Sequence, residues 1–267
     1  MKSLPVACAA LALFAAPNIR SVVVRAPLST LTALPGEQVT LQALDRRWTW
    51  TAPAEPGLYP INVVSSDQRD SLTIHAFVLV PYDRLRGEYL NGYRIGRYPV
   101  ASRAIYRPPT GFIEVTRENE NTFVSPHFRL KQFVCKQSAG YPKYIVLNEG
   151  LVQRLEELLA LANSSGYRAT TFHVMSGYRT PAYNRSIGNV AYSRHTWGSA
   201  ADIFIDEDAD GRMDDLNRDG KSDARDAEVL YRLFDDVQSG GGMGKYEATR
   251  AHGPFVHVDL RDRRARW

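Results

Sequence analysis

Two histidines and an aspartate sit in contexts that favour metal chemistry. In Ser193-Arg194-His195-Thr196-Trp197-Gly198-Ser199-Ala200-Ala201-Asp202, His195 precedes a glycine turn and Asp202 lies on the apolar stretch beyond it. A strand alternates its faces, so Asp202, Phe204 and Asp206 share one face while Ala201, Ile203 and Ile205 take the other. Downstream, Phe255-Val256-His257-Val258-Asp259-Leu260 repeats the pattern. His257 and Asp259 share a face, and Val256, Val258 and Leu260 fill a core. Two neutral imidazoles and one carboxylate form a catalytic zinc set that leaves a fourth position open. The bland alternative is a group of ordinary polar residues at strand ends.

A second cluster comes directly after Asp202. Residues 206–226 hold nine acids and four bases, a local charge of −5, while the whole chain carries 33 basic and 29 acidic residues for a net +4. Calcium loops need oxygen ligands at positions 1, 3, 5 and 12 with glycine at 6. Asp215, Asn217, Asp219, Gly220 and Asp226 fill those positions, with Asp223 at 9. The stretch resembles the calcium loop of dockerin and EF-hand-like modules. An overlapping first copy begins at Asp206, with Asp208, Asp210 and Gly211, but its twelfth position is Asn217. The expectation is one bound calcium, in the second copy, set into the chain at 206–226, with a second ion in the first copy left open.

The elements that must position these groups are legible in part. Asn148 caps a helix through Leu151, Leu155, Leu158, Leu159 and Ala162, and Gly166 ends it. Phe172 to Met175, Ala200 to Ile205 and Phe255 to Leu260 read as strands, and Asp226 to Val237 as a second helix. Upstream, Val22 to Val24, Gln38 to Leu41, Trp48 to Thr51, Tyr59 to Val64 and Ser71 to Val80 are β-rich. Turn formers such as Pro35-Gly36 separate them. The fold class expected is an α+β catalytic domain over 127–267, preceded by a small all-β, sandwich-like domain over 21–81. A loop-rich connector over 82–126 joins them. His75 reads as a surface strand residue.

Residues 1–20 carry a basic start and an apolar run from Leu4 to Ala16, which fits a secretory signal peptide. The run is too short for a membrane span. The expected location is therefore secreted or periplasmic, in a bacterium. Removal of the signal leaves Cys135 as the single cysteine, a small buried hydrophobe rather than a nucleophile. Net charge of this size gives no reason to expect nucleic-acid binding. The chain outside the acidic stretch carries 29 bases against 20 acids, which favours acidic cell-wall polymers.

Ser-x-His-x-x-Gly-x-Ala-x-Asp followed by a distant strand histidine resembles the D-alanyl-D-alanine carboxypeptidase family of zinc peptidases. Ser176-Gly177-Tyr178-Arg179 matches that family's Ser-Gly-Tyr-Arg segment. The likeness is strongest to its periplasmic murein-endopeptidase branch, and it covers about residues 127–267. It implies zinc ligands His195, Asp202 and His257, with Arg179 binding substrate and stabilising the developing oxyanion. It implies peptidoglycan peptides as substrate, cleaved by an endopeptidase or a D-Ala-D-Ala carboxypeptidase. Relatives carry a glutamate three residues before the last histidine or a histidine two before it. Here those positions are Pro254 and Phe255, so the general base is open. His252 is the first candidate and Asp259 the second, and Asp259 otherwise orients a ligand imidazole. The reading from a different class is a non-catalytic, calcium-stabilised module that binds cell wall or protein.

Overall fold

The computed structural model describes residues 19–24, 30–100, 103–236 and 240–267. Nearly all of the expected signal peptide, and the end of the second helix at Val237, lie outside these residues.

Six strands come first: β1 (Arg20–Val24), β2 (Thr30–Ala33), β3 (Gln38–Ala43), β4 (Arg46–Thr51), β5 (Gly57–Val64) and β6 (Ser71–Val78). They make two three-stranded sheets, ordered β1-β3-β4 and β2-β6-β5. Alternation is clear in β3, where Val39, Leu41 and Ala43 are buried and Gln38 and Gln42 exposed. Those three join Leu31, Ile74 and Val78 in one cluster, so the sheets share a core. Edge contacts tie these strands to residues 123–124. Thr30 Oγ1 donates to the Val124 carbonyl at 2.7 Å, and the His75 ring bonds the Phe123 carbonyl at 2.8 Å.

The stretch expected as connector, 82–126, and its flanks have structure of their own. β7 (Val80–Pro81), β8 (Tyr89–Leu90), β9 (Tyr93–Arg94), β10 (Gly111–Val115) and β11 (Lys143–Ile145) come next in order. β10 lies between β11 and β7, and β8 pairs with β9. Leu90, Ile95, Tyr98 and Phe112 pack on Tyr144 and Trp197, so this stretch docks onto the part that carries His195.

The remainder is α+β. Its elements in order are α1 (Glu149–Ser164), β12 (His173–Ser176), α2 (Pro181–Ser186), β13 (Ala200–Phe204), α3 (Ala224–Asp235), β14 (Gly242–Tyr246), β15 (Phe255–Asp259) and β16 (Ala265–Arg266). Asn148 caps α1 by accepting from the Gly150 N–H. Asp223 and Asp226 form a capping box at the start of α3. The five strands order as β12-β13-β15-β14-β16. One face of the sheet presents Ala201, Ile203, Met243, Val256 and Val258 to Leu151, Leu155, Leu158, Leu230 and Phe234 of the two helices. The alternate positions, Asp202, His257 and Asp259, therefore look the other way, into a cleft.

Candidate metal centre and cleft

Strand register brings the metal candidates together. β13 and β15 run antiparallel with Asp202 directly opposite His257. His195 arrives on a short 3-10 turn, Arg194–Trp197, that stops at Gly198. Gly198 has φ +61, and a Cβ there would lie 2.2 Å from the Val146 carbonyl oxygen. Only glycine fits both the left-handed backbone and that close approach.

The three side chains are oriented by what they bond. His195 Nδ1 donates to the Gly177 carbonyl at 2.7 Å, which leaves Nε2 as the lone-pair nitrogen. That Nε2 lies 3.4 Å from Asp202 Oδ1. His257 Nδ1 lies 2.7 Å from the same oxygen. One ligand atom from each residue falls within 4.8 Å of the other two, and His195 and Asp202 are deeply buried. Two imidazole nitrogens and a carboxylate oxygen converging this closely suit zinc.

Asp259 backs the site. Its carboxylate accepts from His257 Nε2 at 3.2 Å, from Arg261 Nη2 at 2.5 Å and from the Gly242 N–H at 3.0 Å. An outer carboxylate of this kind fixes the tautomer and angle of a ligand imidazole. Burial alone would raise the Asp259 carboxyl, but His257 and Arg261 hold it well below the usual range. Burial likewise would raise Asp202, and the imidazoles of His195 and His257 outweigh it and push it down. Burial keeps His195 below the ordinary imidazole value. For His257 burial works downward, and hydrogen bonds to Asp202 and Asp259 overcome it, raising its pKa to about 9.

Arg179 reaches the same cluster. Its Nη2 donates to Asp202 Oδ2 at 2.5 Å and its Nε to Ser176 Oγ at 2.7 Å. It lines the cleft, whose volume is about 700 Å³. His252 also lines it, half-buried, with Nδ1 donating to the Gly253 carbonyl at 2.8 Å, so its Nε2 carries the lone pair. Cys135 is buried, and that burial pushes its thiol up, away from nucleophilic character.

The acidic stretch forms two turns with one pattern. In the first, the Asp210 N–H donates to Asp206 and Asp208, and the Gly211 N–H to Asp206. In the second, the Asp219 N–H donates to Asp215 and Asn217, and the Gly220 N–H to Asp215. Ala209 and Arg218, at the fourth position of each, both have positive φ. Asp226 is fully buried and accepts from the Leu216 and Asn217 N–H groups, which draws it against the start of the second loop. In the first turn, Asp206, Asp208 and Asp210 each bring a carboxylate oxygen within 4.8 Å of the others. That is the copy the sequence pattern favours less.

Sequence reasoning overlooked four contributors to the site. Ser176 and Gly177 stood inside the Ser-Gly-Tyr-Arg segment but carried no assigned role. Arg261 lies two residues after Asp259, a spacing that places it beside that carboxylate at a strand end. Trp267, at the terminus that shares in the likeness to the murein-endopeptidase branch, had no role assigned. It sits over His257 with ring centroids 5.5 Å apart, because Gly244, the cross-strand neighbour of His257, leaves it room. A Cβ on Gly244 would meet Trp267 Nε1 at 2.3 Å.

The family model for peptidase M15 matches residues 126–232. That segment holds Arg179, His195 and Asp202, and His257 lies beyond it. No curated protein matches the chain with significance.

Proposed function

Taking the peptidase M15 match over residues 126–232 as premise, we propose that this chain is a zinc-dependent peptidase that hydrolyses peptide bonds in bacterial peptidoglycan. The observation that carries the reading is the placement of Asp202 Oδ1 against both His195 Nε2 and His257 Nδ1 on the wall of an open cleft. His195, Asp202 and His257 would hold the ion. When bound, zinc supplies Lewis acidity to polarise the scissile carbonyl and to activate water near neutral pH.

The chain's own groups divide the remaining work. Arg179, fixed by Asp202 and Ser176, offers positive charge to the oxyanion that develops at the attacked carbonyl. His252 is the better placed of the two base candidates, with Nε2 free to take a proton and pass it to the leaving amine. Asp259 is saturated by His257, Arg261 and Gly242, so its part is to orient His257. An endopeptidase is preferred over a carboxypeptidase. The β-rich module of residues 21–81 positions the catalytic part or binds a partner, and residues 1–20 export the chain. One calcium ion braces the 206–226 stretch, a reading supported by the matched pair of turns.

Digestion of purified muropeptides by zinc-loaded protein, with products read by mass, tests the function and identifies the bond. Product formation should stop on chelation, return with zinc, and vanish in His195→Ala. His252→Ala should retain zinc and lose about 10²–10⁴ of the rate. Bound zinc with no product from any muropeptide would favour the non-catalytic binding module instead.

A further inference from the structure

The cleft holds more positive charge than its metal chemistry uses. Arg179 and Arg261 are committed to Asp202 and Asp259. The wall supplied by residues 103–106 is different. Arg103 and Arg194 both hold their guanidinium carbons near the ring of Tyr106, 5.8 and 5.1 Å from its centroid. All three residues line the cleft. Two cations far apart in sequence thus meet at one aromatic ring.

That ring is held firmly. Tyr106 packs on Tyr192 at 4.8 Å and on Trp197 at 5.2 Å between centroids. Trp197 in turn donates its indole N–H to the Arg107 carbonyl at 2.9 Å. Negative charge nearby is sparse. Arg103 pairs with Asp262 at 3.0 Å, both more than half exposed, and such pairs contribute little in water. Among the described residues, Arg194 pairs with no carboxylate. The ring face attracts each cation, but the two guanidinium groups repel each other. A carboxylate bound at this wall would offset that repulsion and accept the forked hydrogen bonds that arginine offers.

The position is tied to the metal ligands. Arg194 directly precedes His195 in the turn that also carries Trp197. Consecutive Cα atoms lie about 3.8 Å apart, and an extended peptide advances at most about 3.6 Å per residue. A carboxylate at this wall therefore belongs to a residue within a few positions of the bond being cut.

We propose that Arg103, Tyr106 and Arg194 form a subsite that recognises a free carboxylate on a substrate residue near the scissile bond, and so select acidic peptides. The words "substrate" and "scissile" rest on the peptidase reading, but carboxylate binding does not. The test measures the Kd of the zinc-loaded protein for an acidic muropeptide and for the same peptide with its free side-chain carboxyls amidated. The wild type should prefer the acid by about tenfold or more. Arg103→Gln/Arg194→Gln should lose that preference while binding the amide unchanged. Should the double variant fold poorly, Arg103→Gln alone changes an exposed side chain and should lose several-fold of the preference. Equal affinity for the two peptides in the wild type, no binding of either, or an undiminished preference in the variants overturns the subsite. Turnover is read separately. Carboxylate preference without cleavage sinks the peptidase reading and supports the subsite, whereas cleavage without that preference does the reverse.

Discussion

Protonation of His257 couples the metal site to pH. Its folded pKa of about 9 lies above the unfolded value of about 6.5. In the metal-free protein its bonds to Asp202 and Asp259 thus stabilise fully below about pH 6.5. That contribution is lost as pH rises through about 9. Zinc binding runs in the opposite sense, because the ion must displace the proton on Nδ1. His195, held below the usual imidazole value, is neutral at pH 7, and Asp202 is ionised. Calorimetry at pH 7 in buffers of different ionisation enthalpy should read about one proton released per zinc, with affinity rising toward pH 9. Zero release would mean that His257 is already neutral before the ion arrives.

At the scale of elements, the turn that delivers His195 is the sensitive part. Gly198→Ala forces a side chain into left-handed backbone and against the Val146 carbonyl. The left-handed conformation alone costs about 1–2 kcal/mol. Thermal melting should fall by roughly 5 °C or more, and zinc affinity should fall with it; an unshifted melting curve would show that the turn yields freely. Gly198 was visible in the sequence because it sits between two motif residues. Strands β12, β13 and β15 and helices α1 and α3 were equally legible, since their apolar spacing and caps agree with their burial. Two elements were not. β14 begins at the last glycine of Gly240-Gly241-Gly242, a run that reads as loop, and it pairs because the sheet needs a partner for β15 beside His257. α2 is short and starts at Pro181, so it offered no periodicity. The cleft wall at Arg103 and Tyr106 was unreadable for another reason. It depends on aromatic packing between residues far apart in the chain, and spacing carries no trace of that.

Across the whole molecule, β13 joins two charged regions. Asp202 faces the cleft from that strand, and Asp206 opens the acidic stretch just beyond its end. If calcium braces that stretch, millimolar calcium should raise the melting temperature of the wild type by several degrees. Asp215→Ala and Asp219→Ala should abolish the rise, and a melting temperature indifferent to calcium and to chelator would remove the ion from the account. The pairing of Asp202 with His257 has a further consequence. A slip of one residue between β13 and β15 would keep most backbone hydrogen bonds. It would also turn His257 toward the helices and bring Val256 or Val258 into the cleft. No neighbouring register retains the full ligand set, because His257 alone comes from β15 while His195 and Asp202 stay with β13 and its turn. Metal capture therefore works as a checksum on strand alignment, passed only by chains whose sheet has zipped in the one correct phase.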